Sequence, residues 1–126
     1  MEIIWSIQAD EILSEGKFME DGIQNWSLTR CQALNVLSKL QLAKIGVLGG
    51  DVCTFQNGRI FPNGDNWYCE PSLGESMTNF LTRSINEARV YVDSYPDGED
   101  ETIYFNIVPN VETLSIDVEH SRLLQG

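Results

Sequence analysis

The side chains able to do chemistry are few and scattered along the 126 residues. There is one histidine, His120, and there are three cysteines, Cys31, Cys53 and Cys69. A hydroxyl or thiol nucleophile activated by imidazole would have to use His120. That residue sits in a weakly patterned tail with no Ser or Cys motif beside it, and an exposed tail position is the plainer reading. A zinc site needs about four ligands at clustered spacing, which three distant thiols and one remote imidazole do not supply. Cys53 and Cys69 read instead as small apolar strand residues, and the odd number of thiols at long separations suits the reduced state. Gly49-Gly50-Asp51 is not followed by Gly-Lys-Ser/Thr and opens no helix, so it reads as a bulge or bend in a strand and not as a phosphate loop. Neither a metal nor a cofactor is expected.

Carboxylates are the remaining candidates. Asp51, Asp65, Glu70 and Glu75 could pair as acid and base or hold a cation, so a small enzyme or metal-dependent hydrolase that uses acidic residues stays open as an alternative. Their spacing does not separate that reading from solvated loop carboxylates, and the alternating oxygen ligands of an EF-hand are absent. The segment Asp65-Asn66-Trp67-Tyr68-Cys69-Glu70 suggests binding. Trp and Tyr each join a rigid apolar body to a polar edge and are enriched where proteins meet. On a strand Trp67 and Tyr68 must point to opposite faces, so burying one tends to expose the other. A second acidic run, Asp97, Glu99, Asp100 and Glu101, lies in a turn. It reads as a solvated loop or as a patch for a basic partner. The candidate partner-binding residues are therefore Asp51, Asp65, Trp67, Glu70, Asp97, Glu99, Asp100 and Glu101, with no catalytic set.

Charge narrows the choice of partner. Lys and Arg number 8 against 19 Asp and Glu, a net charge of −11. The excess is uneven, with 7 acids against 5 bases in residues 1–64 and 12 against 3 in residues 65–126. Neutralising phosphates requires clustered Lys and Arg, so nucleic acid and anionic membranes are disfavoured as partners. The start of the chain lacks the basic residues and apolar run of a signal peptide, and no apolar stretch approaches the ~20 residues of a membrane span. A cytoplasmic chain is expected.

These residues must be held by elements that the patterning predicts. Residues 3–15 place Trp5, Ala9, Ile12 and Leu13 on an apolar stripe, a helix that Gly16 would end in the left-handed conformation. Residues 17–22 read as a turn or single helical turn. Thr29 is placed to cap a second helix over residues 30–42, with Ala33, Leu34, Leu37, Leu40 and Ala43 buried and Val36 at the border. A β-rich run follows, and Asn57-Gly58 favours a type I′ turn that folds 52–56 back on 59–61, with a third strand over 66–70. The strongest helical repeat covers residues 76–95 through Phe80, Leu81, Ser84, Ile85, Ala88, Val92 and Tyr95. Residues 103–108 form a last buried strand, and 109–126 an edge strand or docked tail. Together they define an α+β domain spanning the whole chain: an antiparallel sheet of about four to five strands, two N-terminal helices and one long helix packed against the sheet.

The succession Asn25-Trp26-Ser27-Leu28-Thr29-Arg30, Ile45-Gly46-Val47-Leu48-Gly49-Gly50-Asp51-Val52, Asn66-Trp67-Tyr68-Cys69-Glu70 and Gly74-Glu75-Ser76, with Phe80, Arg83-Ser84 and Tyr91, resembles the immunity protein 40 family of bacterial polymorphic toxin systems. The resemblance covers roughly residues 3–108. It implies a non-enzymatic antidote that binds a cognate toxin domain and blocks its active site or substrate path. A nuclease toxin with a basic substrate groove would suit the acidity of this chain. The resemblance transfers no catalytic residues, and its motifs could equally be structural, with the glycines bending a strand and Trp67 filling a core. A scaffold that acts only through oligomerisation is the third alternative.

Overall fold

A computed structural model describes residues 2–19, 23–98 and 102–111. Helix α1 spans Ile7–Leu13, shorter than its apolar stripe. Ser6 Oγ accepts the Ala9 N–H at 3.0 Å, and the Asp10 carboxylate takes the N–H groups of Ile4 and Trp5 at 2.7 and 2.9 Å. Those amides are satisfied by a side chain instead of by a helix, so the preceding residues turn back. Gly16 is not in the left-handed conformation. Its requirement is steric, because a Cβ there would collide with the Ser27 carbonyl and the Leu28 side chain. That close approach lets β1 (Lys17–Phe18) pair antiparallel with β2 (Trp26–Ser27), where the sequence pattern had suggested a turn.

Helix α2 covers Arg30–Leu42, the span predicted, and begins with a reciprocal cap. Thr29 Oγ1 accepts the Gln32 N–H at 3.1 Å, and Gln32 Oε1 accepts the Thr29 N–H at 2.9 Å. Its buried face is Ala33, Val36, Leu37 and Leu40. Val36 is fully buried while Leu34 and Ala43 are only half-buried, so the stripe is rotated slightly from the one expected.

The main sheet has three antiparallel strands: β3 (Val47–Gln56) lies at the centre between β4 (Arg59–Tyr68) and β5 (Thr102–Pro109). The turn between them has Asn57 at φ 53° and Gly58 at φ 77°, the positive angles that an Asn-Gly hairpin turn demands. The expectation of four to five strands in one sheet is corrected here. Residues 59–61 and 66–70 are not separate strands of a meander, because β4 runs through both. Pro62-Asn63-Gly64-Asp65, which carries turn chemistry, forms a bulge: Cys53 pairs with Pro62 and Asp51 with Asn66, leaving three residues of β4 opposite Val52 alone. Two extra residues preserve the alternation of side chains across the bulge. The remaining strands form the separate β1-β2 pair. The predicted tail strand at 109–126 falls almost entirely outside the described residues.

Helix α3, Met77–Ser94, begins at Ser76, whose Oγ accepts the Asn79 N–H at 3.1 Å. It lies against β3 and α2, and α2 lies against β5. Leu28, Val36, Leu37, Val52, Ile85, Val92, Phe105 and Ile107 fill the space between helices and sheet with no exposed surface.

Candidate functional site

The helix-facing side of the hairpin meets α3 at a small set of joints. Gly50 pairs with Trp67 across β3 and β4, and the Trp67 ring occupies the space that a Cβ on Gly50 would need. The indole packs on Tyr91 with centroids 4.8 Å apart, Tyr91 lies 6.0 Å from Tyr95, and Tyr95 meets Phe105 edge-on at 5.8 Å. An aromatic track thus runs from β4 along α3 to β5. The β4 bulge is anchored to it. Tyr95 OH donates to Asp65 Oδ2 at 2.6 Å and accepts from Asn63 Nδ2 at 3.1 Å. Burial first, then the hydrogen bond to Asp65, raises the Tyr95 phenol, and burial followed by the charges of Asp65 and Asp51 raises Tyr91.

The loop after β4 is gathered by Arg83. Its Nε and Nη2 donate to both oxygens of Glu75 at 2.9 and 2.8 Å, its Nη2 also reaches the Glu70 carbonyl at 2.6 Å, and its Nη1 lies 3.2 Å from both Glu87 Oε2 and Cys69 Sγ. The Arg83 hydrogen bonds, aided by the Ser72 N–H, hold the Glu75 carboxyl down at about 2. Burial pushes the Cys53 thiol up to about 12, and burial together with the bond to Glu87 pushes Cys69 up to about 11. Both thiols are therefore protonated at neutral pH and poor nucleophiles. Among the described residues no three His, Cys, Asp or Glu side chains converge as metal ligands.

Of the residues singled out in the sequence, Asp65, Trp67 and Glu70 lie together on β4 and just beyond it. Trp67 faces α3 and Tyr68 faces away, 78% exposed. Asp51 follows Gly50, so its side chain is on the opposite face, level with Asn66 and Asn106. Asp97 is bonded to Arg30 Nη2 at 2.8 Å, and that guanidinium also donates to the Val92 and Asp93 carbonyls at the end of α3. Asp97 remains 93% exposed and follows Tyr95 by two residues, so the strand and turn patches adjoin through that tyrosine. Glu99, Asp100, Glu101 and His120 lie outside the described residues. Sequence reasoning missed Asn63, Glu87 and Val90. Tyr91 and Tyr95, four apart on one helix face, carried a readable signal, whereas Arg83 gave none for its role because, apart from Glu87 one turn on, its partners Glu75, Glu70 and Cys69 lie in the loop before the helix.

Between β4 and α3 runs an open groove of about 480 Å³, floored by Trp67 and Tyr91 and flanked by Tyr68, Glu87 and the 68%-exposed Val90. A second hollow of about 470 Å³ lies between α1 and α2, with Glu11 and Lys39 among its walls. The first is the one that includes the candidate Trp67, with Glu87 as its acid. No described helix is long and apolar enough to cross a membrane.

An open groove with an aromatic floor on a mixed α+β frame shares the aromatic enrichment of surfaces where proteins meet. Residues 17–109 match the family model described as Immunity protein 40, and the chain belongs to that family. Comparison with curated proteins and with solved structures found no match. Most of the motif residues serve the joints just described. Gly50 receives Trp67, Gly46 packs tightly against the Phe80 ring, where a Cβ would come to 3.0 Å, Ser84 Oγ accepts the Val47 N–H at 3.0 Å, and Arg83 gathers the loop.

Proposed function

We propose that this chain neutralises a cognate bacterial toxin by binding it, without catalysis, and that it does so as one domain in the cytoplasm. Membership of the immunity protein 40 family is the observation that carries the reading. Support comes from the acidic excess of the second half of the chain and from the groove beside Asp65, Trp67 and Glu70. The binding surface combines that groove with the exposed acid Asp97 and the run to Glu101, while Asp51 reaches the partner only if the opposite sheet face is engaged. Complementary charge speeds encounter, and carboxylates can occupy the place of phosphates, so a nuclease with a basic substrate cleft is the preferred toxin class. Mixing the purified chain with the toxin domain encoded beside it should give a stoichiometric complex on gel filtration, and co-expression should restore growth. Separate elution together with unrelieved toxicity would refute the proposal.

A further inference from the structure

The two edges of the three-stranded sheet are finished differently. In an antiparallel strand each residue turns its N–H and C=O toward the same side, and successive residues alternate. On the outer side of β5, Phe105 exchanges two backbone bonds with Leu28 at 2.8 and 2.7 Å, and the Ile107 carbonyl accepts from Asn25 Nδ2 at 3.0 Å. On β4 the phase is set by Cys69, whose N–H donates to the Leu48 carbonyl at 2.9 Å. Cys69 and Trp67 therefore turn toward β3, and the backbone groups of Asn66 and Tyr68 turn away. Among the described residues no strand lies on that side. The neighbouring edge is closed by its own sequence. Pro62 has no N–H to offer, and the Asp65 N–H in the bulge donates to Asn63 Oδ1 at 2.9 Å. Residues 66–68 are left as an open step.

That step borders the groove. Val90 presents exposed apolar surface on the Trp67–Tyr91 side of the step and Tyr68 on its other face; the nearby acids are Asp65 and Glu87 on the first side and Glu70, beside Tyr68, on the second. Arg83, the cation beside them, is already held by Glu75 and Glu87. We infer that an extended, basic segment of the toxin adds to the edge of β4: its backbone pairs with Asn66 and Tyr68, an apolar side chain packs on Trp67 and Val90, and Lys or Arg meets Asp65 on that face and Glu70 on the other. This rests on the immunity reading and names how the partner is held. Strand addition draws affinity from main-chain bonds and specificity from alternate side chains. Two outward residues allow only about four such bonds, one donor and one acceptor each, so the groove and charges must supply the rest.

The test is amide hydrogen exchange on the complex with the toxin domain encoded beside this chain, alongside binding by Val90→Arg. The Asn66 and Tyr68 amides should exchange at least about tenfold more slowly in the complex, while that of Gly58 in the hairpin turn keeps its rate. Val90→Arg should weaken binding by about tenfold or more at an unchanged unfolding midpoint, since the site is exposed and the new charge repels a basic segment. Free-state exchange at both amides, or wild-type affinity in Val90→Arg, overturns the added strand and leaves the immunity reading standing. A wild-type chain that forms no complex overturns both.

Discussion

Arg83 and Glu75 show how much of this family pattern is concerned with shape. The bidentate pair, with the Ser72 N–H as a third bond, fastens the loop after β4 to α3 and holds Glu75 well below an ordinary carboxyl. A carboxyl lowered from 4.5 to about 2 contributes stability that is fully present above about pH 4.5 and is lost as the pH falls through 2. Glu75→Gln should therefore unfold at a lower temperature than the wild type at pH 7, with the two midpoints converging between pH 4.5 and 2. A gap that stays constant over that range would mean that Glu75 does not act through its charge. The acidic candidates divide in the same way. Asp97 bridges to Arg30 at the end of α3 and Asp65 anchors the bulge through Tyr95, yet both remain exposed enough to meet a partner.

At the scale of elements, the hairpin and α3 form one unit joined through glycines. Gly50 has no room for a side chain because Trp67 and the Asn106 carbonyl already fill it. Gly50→Ala should destabilise by about 1–3 kcal/mol through overpacking, measured by denaturant unfolding. It should also move the Trp67 ring and so perturb the groove. A neutral effect would mean that the ring shifts freely. The elements governed by local chemistry were legible in the sequence. Thr29 as a cap marked the start of α2, Asn57-Gly58 the hairpin, and the repeat from Phe80 to Tyr95 α3. What misled was chemistry with two outcomes. Pro62-Asn63-Gly64-Asp65 can turn a chain or bulge a strand, and only the pairing of Pro62 with Cys53 and of the following Asn66 with Asp51 decides between them. Gly16 was needed for a close approach to Ser27, a contact that periodicity does not record. Of the site, Asp65, Trp67 and Glu70 were readable as a segment, while Val90 and Glu87 were not, because their meaning comes from a strand about 20 residues earlier.

For the molecule as a whole, the net charge of −11 gives a long-range field, and its effect on association depends on whether the acids near the groove face the partner. If they do, Asp65→Lys combined with Glu70→Lys should weaken toxin binding by about tenfold or more at low salt and flatten the dependence of affinity on ionic strength. Equal salt dependence in variant and wild type would return the charge to a role in solubility. The family assigns this chain to the immunity proteins, and the open edge and groove are the place we propose for that role. Titrating the purified chain into the toxin domain encoded beside it, with the toxin's own activity as readout, tests this most directly. Activity should fall in proportion to added chain and vanish near equimolar amounts. Full toxin activity in the presence of a clear molar excess of the folded chain would contradict it.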